Sequence, residues 1–205
     1  MLAVIYAIAA AIMIVIAARI IISISRRRRH RELNPYKITI KDIDRMEDGK
    51  DFEEYLFRLF LALGYEDAYK TVSSRDFGAD LVFTDRNGNR AIIQAKRYSV
   101  NNPVGLSAVQ EIYSAMPFYR AQKSIVITSG IYTDACLKLA GYNGVRLLDR
   151  EDLIDIMNDL RSRHEDAAMD LIEAEPVRLL DSWDDYLKDK QYKKERKAVE
   201  KRITG

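Results

Sequence analysis

The hydrophobic and polar positions of the chain fall into patterns that predict helices alternating with strands. From Asp51 onward, apolar residues recur at positions 52, 56, 59, 60 and 63, which is the spacing of one face of an amphipathic helix. Gly64 follows, and glycine adopts the left-handed conformation of a helix cap without strain. We therefore predict a helix from Asp51 to Leu63.

Three extended segments follow this helix, at about residues 66–72, 79–84 and 90–95. The last two flank residues 85–89, Asp-Arg-Asn-Gly-Asn, which are typical of a β-hairpin turn. Beyond the hairpin we predict a helix from Pro103 to about Arg120, a strand at 124–128, a helix at 133–139, a turn at 141–144, a strand at 145–148 and a helix at 149–160. This order, αβββαβαβα, predicts an α/β fold with a mixed sheet flanked by helices on both faces.

The N-terminal 25 residues form a long apolar run. Residues 1–18 carry no charge, and after Arg19 the run resumes to Ile24. That length is sufficient for a helix to cross a hydrocarbon core of about 30 Å. Arginines follow the run at 26–29, whereas a cleaved signal peptide carries positive charge before a shorter apolar core. We therefore predict a single-pass transmembrane helix that leaves the C-terminal part in the cytoplasm, at the cell membrane.

These boundaries divide the chain into four predicted segments. They are a transmembrane helix at 1–25, a basic juxtamembrane segment and connector at 26–48, a folded domain at 49–160 and a charged, helical extension at 161–205. The basic run sets the membrane topology, with contact to anionic lipid or nucleic acid as the alternative.

The numbers of cysteines, histidines and charged residues limit which metal sites and which kinds of DNA contact are possible. The single cysteine, Cys136, and the two histidines, His30 and His164, leave too few ligands for a zinc site. Cys136 lies on an apolar helix face and is expected in the core. Residues 38–175 hold 17 Lys/Arg and 24 Asp/Glu, a net charge of −7. Because DNA-binding domains usually show a basic footprint, DNA contact would have to depend on a few well-placed cations.

The turn between the second and third extended segments decides which side chains face each other. If residues 86–88 form a three-residue loop with Gly88 left-handed, Asp80 lies directly opposite Gln94. Opposed side chains share a face with Cβ atoms about 5 Å apart, and Lys96, two residues further along, lies on that face too. A two-residue Asn-Gly turn would place Asp80 and Gln94 on opposite faces. We prefer the three-residue loop because it places a glycine where one is needed.

These three residue types suit metal-dependent cleavage of a phosphodiester. Hard cations such as Mg²⁺ prefer oxygen ligands, which Asp80 and Gln94 can supply. Lys96 can orient an attacking water or offset charge on the phosphate, and a divalent metal acidifies bound water. The spacing alone is a weak pattern, and a solvated surface turn is the simpler explanation of it. The motifs around these residues favour the catalytic interpretation.

Those motifs occur in order along about half of the chain. They are Gly49, Phe52-Glu53, Leu63-Gly64-Tyr65, residues 76–82 (Asp-Phe-Gly-Ala-Asp-Leu-Val), residues 94–98 (Gln-Ala-Lys-Arg-Tyr), Val109-Gln110-Glu111, Thr128-Ser129-Gly130, residues 133–140, Asn143-Gly144-Val145 and Leu148-Asp149. In these motifs the chain resembles the Mrr-type branch of the restriction endonuclease-like nucleases, within the PD-(D/E)xK superfamily. Because several motifs match in order, the resemblance is specific.

The resemblance implies a restriction-endonuclease-like αβββαβ core and cleavage of DNA that depends on a divalent metal, Mg²⁺ or Mn²⁺. Asp80 matches the family's metal-binding Asp, and Gln94 and Lys96 match its Q-x-K, a variant of the more common acid-x-Lys. Glu53 matches the helix glutamate that this branch brings toward the metal. Gln110 matches a polar position that faces substrate. Asp80, Gln94 and Glu53 are thus the implied metal ligands, and Lys96 completes the catalytic set.

Four cations near the hairpin are candidates for contacting DNA: Lys70, Arg75, Arg90 and Arg97. A few placed charges are sufficient for phosphate contacts even where the net charge is negative. Solvated strand edges are the alternative explanation for the same side chains.

The expected function is a membrane-anchored, divalent-metal-dependent DNA endonuclease in restriction or in defence against foreign DNA. Its expected partners are DNA and the membrane, and a homodimer is compatible with it because cutting both strands needs two sites. The alternative is a nuclease fold that binds DNA or tethers it at the membrane without cutting. A third hypothesis is that residues 176–205 recruit a partner protein.

Overall fold

The computed structural model describes residues 12–20, 33–71, 77–179, 194 and 196–197. Residues 12–20 are helical. In the remaining part the helices are α1 (Ile40–Asp44), α2 (Gly49–Leu63), α3 (Ser107–Tyr119), α4 (Asp134–Asn143), α5 (Arg150–Arg161) and α6 (Glu165–Glu173). The strands are β1 (Tyr69–Lys70), β2 (Leu81–Thr84), β3 (Arg90–Lys96), β4 (Lys123–Thr128) and β5 (Arg146–Leu148).

The five strands form one mixed sheet in the order β1-β2-β3-β4-β5. β1, β2 and β3 pair antiparallel, as a hairpin connection allows. β3, β4 and β5 pair parallel, and α3 and α4 provide the crossovers between them. The predicted α/β class, the mixed sheet and the helices on both faces are confirmed.

Alternate residues of the central strand β3 enter two separate cores. Ile93 belongs to the core between the sheet and α2, α5 and α6, whose largest side chains include Phe60 and Phe83. Ile92 belongs to the core beneath α3 and α4, where Cys136 is fully buried. This alternation follows from the two-residue period of a strand with both faces covered. Burial raises the pKa of the Cys136 thiol to about 11, so this sulfur stays protonated at neutral pH and serves packing, as predicted.

Local capping explains where the helices begin and end. The carboxylate of Asp48 accepts a hydrogen bond from the Asp51 backbone at the start of α2, and Gly64 ends the helix in the left-handed conformation at φ +104°. The hydroxyl of Thr133 caps α4, and the carboxylate of Asp149 caps α5. The predicted end of the first helix at Gly64 is therefore confirmed.

Several predicted boundaries differ from the structure, and the first strand spans only Tyr69–Lys70 instead of 66–72. Nonlocal contacts explain two of the other differences. The helix after the hairpin begins at Ser107 rather than Pro103, because Val104 pairs with Tyr132 in an isolated parallel bridge. The predicted turn at 141–144 is helical up to Asn143, and only Gly144 takes a left-handed conformation, at φ +66°. Gly141 stays in α4 with residue 179 packed against it.

The folded unit extends beyond the predicted limits of 49–160 on both sides. Ile43, within the predicted connector, is fully buried in the core against α2. Ala168 and Ile172 of α6, within the predicted extension, pack into the same core. The extension is not one continuous helix, since Arg163 adopts a left-handed conformation at φ +61° between α5 and α6.

Among the described residues, no helix combines the length and the apolarity needed to cross a membrane. The predicted transmembrane helix at 1–25 lies largely outside the described residues, which include only 12–20 of it. The predicted anchor therefore remains a prediction.

Candidate active site

The β2–β3 hairpin adopts the register that brings the candidate residues together. The backbone N–H of Asp85 donates to the carbonyl of Asn89 at 2.9 Å, and Gly88 between them is left-handed at φ +81°. Leu81 pairs with Ile93 in the ladder, so the next residues outward, Asp80 and Gln94, face each other. The predicted three-residue loop and its register are confirmed.

Asp80 is the centre of a small buried polar cluster. One oxygen, Oδ2, accepts a hydrogen bond from Gln94 Nε2 at 2.6 Å and another from the Ala95 backbone at 2.7 Å. Asp80 and Gln94 are only 9% and 7% exposed. The other amide atom, Gln94 Oε1, is buried and has no hydrogen-bond partner among the described residues. Leaving such an acceptor unsatisfied is costly, so its retention points to a ligand for that oxygen.

Lys96 lies at the end of β3 and reaches across to α3. Its Nζ is 2.8 Å from Glu111 Oε2, with the lysine side chain 21% exposed and the glutamate side chain 45% exposed. Gly78, two residues before Asp80, packs directly on the backbone of Glu111, where a Cβ would lie 3.0 Å from the carbonyl oxygen. The loop that carries Asp80 and the helix that carries Glu111 are therefore held close together, with Lys96 beside them.

The chain that follows Lys96 is held by the end of β4. The hydroxyl of Thr128 donates to the Lys96 carbonyl at 2.7 Å. The hydroxyl of Ser129 donates to the Tyr98 carbonyl at 2.9 Å, and the Tyr98 backbone N–H donates back to it at 3.1 Å. At Gly130, a Cβ would lie 3.0 Å from the carbonyl oxygens of residues 98 and 99. The Thr-Ser-Gly motif thus fixes the backbone from which Lys96 projects.

Glu53, the fourth predicted site residue, lies on α2 beside Lys70. Lys70 Nζ is 3.7 Å from Glu53 Oε2 and 3.6 Å from Glu54 Oε2, so two carboxylates hold this ammonium. Lys70 pairs with Leu81 in the sheet, and the neighbouring Thr71 donates its backbone N–H to the Asp80 carbonyl at 2.9 Å. The structure therefore places Glu53 next to the strand that borders Asp80. A metal-binding role for Glu53 stays a prediction.

The other predicted DNA-contacting residues do not come together in the described part of the chain. Arg90 begins β3 and Lys96 ends it, so they are about 20 Å apart along the strand. Arg97 is half-buried and lies near Asp44, whose pKa it helps to lower after the hydrogen bonds from Arg150. Gln110 is exposed on α3. Arg75 lies outside the described residues.

The described donors fit a hard cation that keeps part of its water shell. Within the described residues, no group of three or more His, Cys, Asp and Glu side chains lies close enough to hold a metal ion. Two oxygen-bearing side chains are neighbours there, the Asp80 carboxylate and the Gln94 amide, whose Oε1 has no hydrogen-bond partner among the described residues. Mg²⁺ typically binds through one or two protein oxygens plus waters, and such a pair suits it.

Glu111 is a further candidate site residue that the sequence pattern did not reveal, although it lies in the Val109-Gln110-Glu111 motif. Its contact with Lys96 joins residues from β3 and α3. The only signal in the sequence was an acidic residue beside Gln110, in the helix that follows the strand.

Comparison with known proteins places the domain in a family. The profile of a restriction endonuclease family, that of the Mrr catalytic domain, matches residues 43–157, which is more than half of the chain. The chain belongs to this restriction endonuclease family. Its Mrr catalytic domain includes α2, the hairpin with Asp80, Gln94 and Lys96, and α3 with Glu111. The family indicates a nuclease domain. No curated protein is significantly similar to the chain.

Several solved structures resemble the Mrr catalytic domain. The DNA modification-dependent restriction endonuclease AspBHI is similar over 66% of this chain and 38% of its own, with 21% identity and a TM-score of 0.47. The MspJI restriction endonuclease, solved in complex with a 27-mer oligonucleotide, is similar over 67% and 35%, with 17% identity and a TM-score of 0.45. EndoMS in its apo form is similar over 51% and 46%, with 16% identity and a TM-score of 0.37. This chain thus spans less than half the length of each.

Proposed function

We propose that this protein is a divalent-metal-dependent DNA endonuclease whose catalytic residues are Asp80, Gln94 and Lys96. The observation that carries the proposal is the buried Asp80–Gln94 pair, in which Gln94 Oε1, two residues before Lys96, has no partner in the described part of the chain. A carboxylate, an unsatisfied amide oxygen and an ammonium at one strand end suit binding of a hard cation next to a phosphate.

Each side chain has a separate role. The hydrogen bonds from Gln94 and Ala95 to Oδ2 orient the Asp80 carboxylate, and Gln94 presents Oε1, so these two side chains would hold Mg²⁺ or Mn²⁺. Such a metal, when bound, stabilises charge on the phosphate and lowers the pKa of a bound water. Lys96, held by Glu111, supplies a positive charge that orients the attacking water or offsets the charge of the phosphate.

The alternative proposal is a nuclease fold that binds DNA without cutting it. A binding module has no physical need for an unsatisfied buried oxygen beside a carboxylate, because that oxygen lowers stability. Asp80, Gln94 and Lys96 are all present and juxtaposed, which favours catalysis.

A nicking assay tests the proposal. The full-length chain in detergent micelles is incubated with supercoiled plasmid and Mg²⁺ or Mn²⁺, with an EDTA sample as background. We expect Asp80→Asn and Lys96→Met to reduce nicking to that background, since each removes a group acting at the phosphate. Asp155→Asn and Lys138→Met change exposed residues on α5 and α4 and should cut like the unmodified chain.

Two outcomes would refute the proposal. One is that neither metal supports cutting of duplex, single-stranded or modified DNA. The other is that cutting survives both substitutions at the site. DNA binding that persists in Asp80→Asn without any cutting by the unmodified chain would instead support the binding module.

The biological setting is part of the proposal. We propose that residues 1–25 anchor the nuclease at the cell membrane, with the domain in the cytoplasm, and that it acts in restriction or defence against foreign DNA. Support comes from the uncharged run at 1–18 followed by the arginines at 26–29. Pairing of two copies would allow both strands to be cut.

A further inference from the structure

Two aromatic rings next to the candidate active site are exposed to solvent. Phe77 is 56% exposed and Phe118 is 60% exposed, although their ring centroids are only 4.3 Å apart at an interplanar angle of 38°. Phe118 also contacts Tyr119 edge to face at 4.9 Å. The pair of Phe77 and Phe118, called the aromatic platform below, thus offers large apolar surface where packing would normally hide it.

The aromatic platform adjoins the site through both of its residues. Phe77 directly precedes Gly78, which packs on Glu111. Phe118 lies seven residues after Glu111 on α3, so both project from the same face of that helix about 10 Å apart. Since Glu111 contacts Lys96, the rings lie within about two helical turns of the ammonium that would face a phosphate.

The backbone at Phe77 is held in an unfavourable conformation. Its φ of +45° lies in the left-handed region, which bulky side chains rarely adopt. A strained backbone of this kind persists only where the surrounding contacts hold it in place, and such residues occur most often at functional sites. Burial in the core does not explain the strain at Phe77, because the ring is more than half exposed.

Two arginines lie at the C-terminal end of α3, close to Phe118 in the chain. Arg90 Nη1 donates to the Tyr119 carbonyl at 3.1 Å, at the C-terminal end of α3. Arg120 follows at φ +51°, and both arginine residues are exposed. Cations therefore lie near both ends of the part of α3 that carries Phe118, with Lys96 beside Glu111 and with Arg90 and Arg120 at the C-terminal end.

We propose that the aromatic platform stacks an unpaired base of the DNA strand, with Arg90 and Arg120 contacting phosphates of that strand. The inference rests on the proposed function for the identity of the polymer, and it narrows the substrate class to DNA with unpaired bases. Paired bases present only their edges, whereas an unpaired base exposes the flat face that an aromatic ring can stack on. Residues 38–175 carry a net charge of −7, so charge-independent stacking offsets weak phosphate attraction.

Binding measurements with the cleavage-inactive Asp80→Asn chain test the platform. Full-length protein in detergent micelles is titrated into a fluorescein-labelled 20-nucleotide single strand, the matched duplex, and the duplex with a three-nucleotide bulge, and anisotropy is recorded. We expect the single strand and the bulge to bind more tightly than the duplex. Added Phe118→Leu or Phe77→Leu should weaken binding to both by roughly tenfold and leave duplex binding within about twofold.

The variants separate stacking from apolar bulk. Leucine keeps the apolar contact and should preserve the fold, whereas Phe118→Trp keeps a ring and should restore binding. Tyr142→Leu alters an exposed aromatic residue on α4 and should have no effect. Arg90→Gln and Arg120→Gln should reduce the salt dependence of single-strand binding, as expected for lost phosphate contacts.

Three results would overturn the platform. One is single-strand binding that is unchanged in Phe77→Leu and Phe118→Leu. Another is equal affinity for single strand and duplex. The third is that Phe118→Leu converts a dimer to a monomer and leaves DNA binding unchanged. The rings would then form an interface between two copies of the chain. The nuclease proposal fails separately, if the chain with Asp80 intact does not cut although ring-dependent binding is present.

Discussion

At the scale of single residues, the site is defined by how one carboxylate is held. Asp80 receives both of its described hydrogen bonds on the same oxygen, one from Gln94 and one from Ala95. The backbone N–H of Ala95 faces β2 just beyond the last paired residues of the hairpin, Leu81 and Ile93. Among the described residues no strand carbonyl pairs with it there, so the Asp80 carboxylate accepts its hydrogen bond instead. Under the proposed function, the same bonds also orient the Asp80 carboxylate for a cation.

Under the proposed function Glu111 positions Lys96, so its removal should affect turnover more than folding. We expect Glu111→Ala to lower the nicking rate by roughly ten- to a hundredfold, because the ammonium loses the partner that positions it. The free energy of unfolding should change by less than about 1 kcal/mol, since the pair is partly exposed to solvent. Plasmid nicking and urea denaturation measure the two effects.

Glu111→Gln is the matched control, because the amide oxygen can still accept a hydrogen bond from Lys96. It should retain more activity than Glu111→Ala. Equal activity of Glu111→Ala and the unmodified chain would show that Lys96 needs no such partner.

At the scale of elements, the β2–β3 hairpin sets the register of the site. Gly88 supplies the left-handed residue of its loop, and a Cβ added there would meet nothing within 4 Å. Backbone strain is therefore the only penalty of a substitution at this position.

Gly88→Ala should lower the free energy of unfolding by about 1 kcal/mol, because an L-residue is strained at φ +81°. Gly88→Asn should cost less, since asparagine tolerates the left-handed conformation. Urea denaturation of the two variants measures the difference. Equal stability of Gly88→Ala and the unmodified chain would mean that the loop relaxes to another turn.

At the scale of the whole molecule, Asp85 ties the hairpin to β4 and to the segment after α6. Its side chain is fully buried and lies 3.0 Å from Lys123 Nζ, which also reaches Glu175 Oε1 at 3.4 Å. Burial alone would raise the pKa of Asp85, but hydrogen bonds from Asn89 and Lys123 outweigh it and hold the pKa below its ordinary value.

Stability should therefore depend on pH through Asp85. Because the pKa is lower in the folded state, the stabilisation is present above the unfolded pKa of about 4 and is lost as the pH falls through the folded value. Asp85→Asn should lower the free energy of unfolding by about 2–3 kcal/mol at pH 7, because Lys123 loses its buried partner. It should also flatten the decline below about pH 4.

Denaturation curves between pH 3 and pH 7 test this dependence. Adding Lys123→Met to Asp85→Asn removes the orphaned charge and should recover part of the loss at pH 7. A decline of the same steepness in Asp85→Asn would assign the acid sensitivity to other carboxylates.

The N-terminal segment makes a prediction for the full-length chain. If residues 1–25 cross the membrane, the protein should sediment with membranes and be released by detergent but not by high salt. Deleting 1–25 should release it, whereas replacing the arginines at 26–29 by glutamine should leave it membrane-bound. Release of the full-length chain by salt alone would contradict the anchor and point to surface attachment through the basic run.

Local patterns determined much of the fold and the centre of the site. The apolar period before Gly64 and the glycine in the 86–88 loop depend on neighbouring residues, so helix α2, the hairpin and its register could be predicted. The register then placed Asp80 opposite Gln94, because side chains alternate along a strand. This geometry made Asp80, Gln94 and Lys96 candidates, and the surrounding family motifs favoured their catalytic interpretation.

Contacts between distant elements decided the rest. Glu111 meets Lys96 only because α3 packs over the end of β3, and Phe118 meets Phe77 through the same packing. The late start of α3 depends on the bridge between Val104 and Tyr132. Periodicity shows which face of a helix is buried, but not which residue it brings to a given strand end. The packing of the helices on both faces of the sheet determines which residue lies at that strand end. This packing brings Glu111 to Lys96.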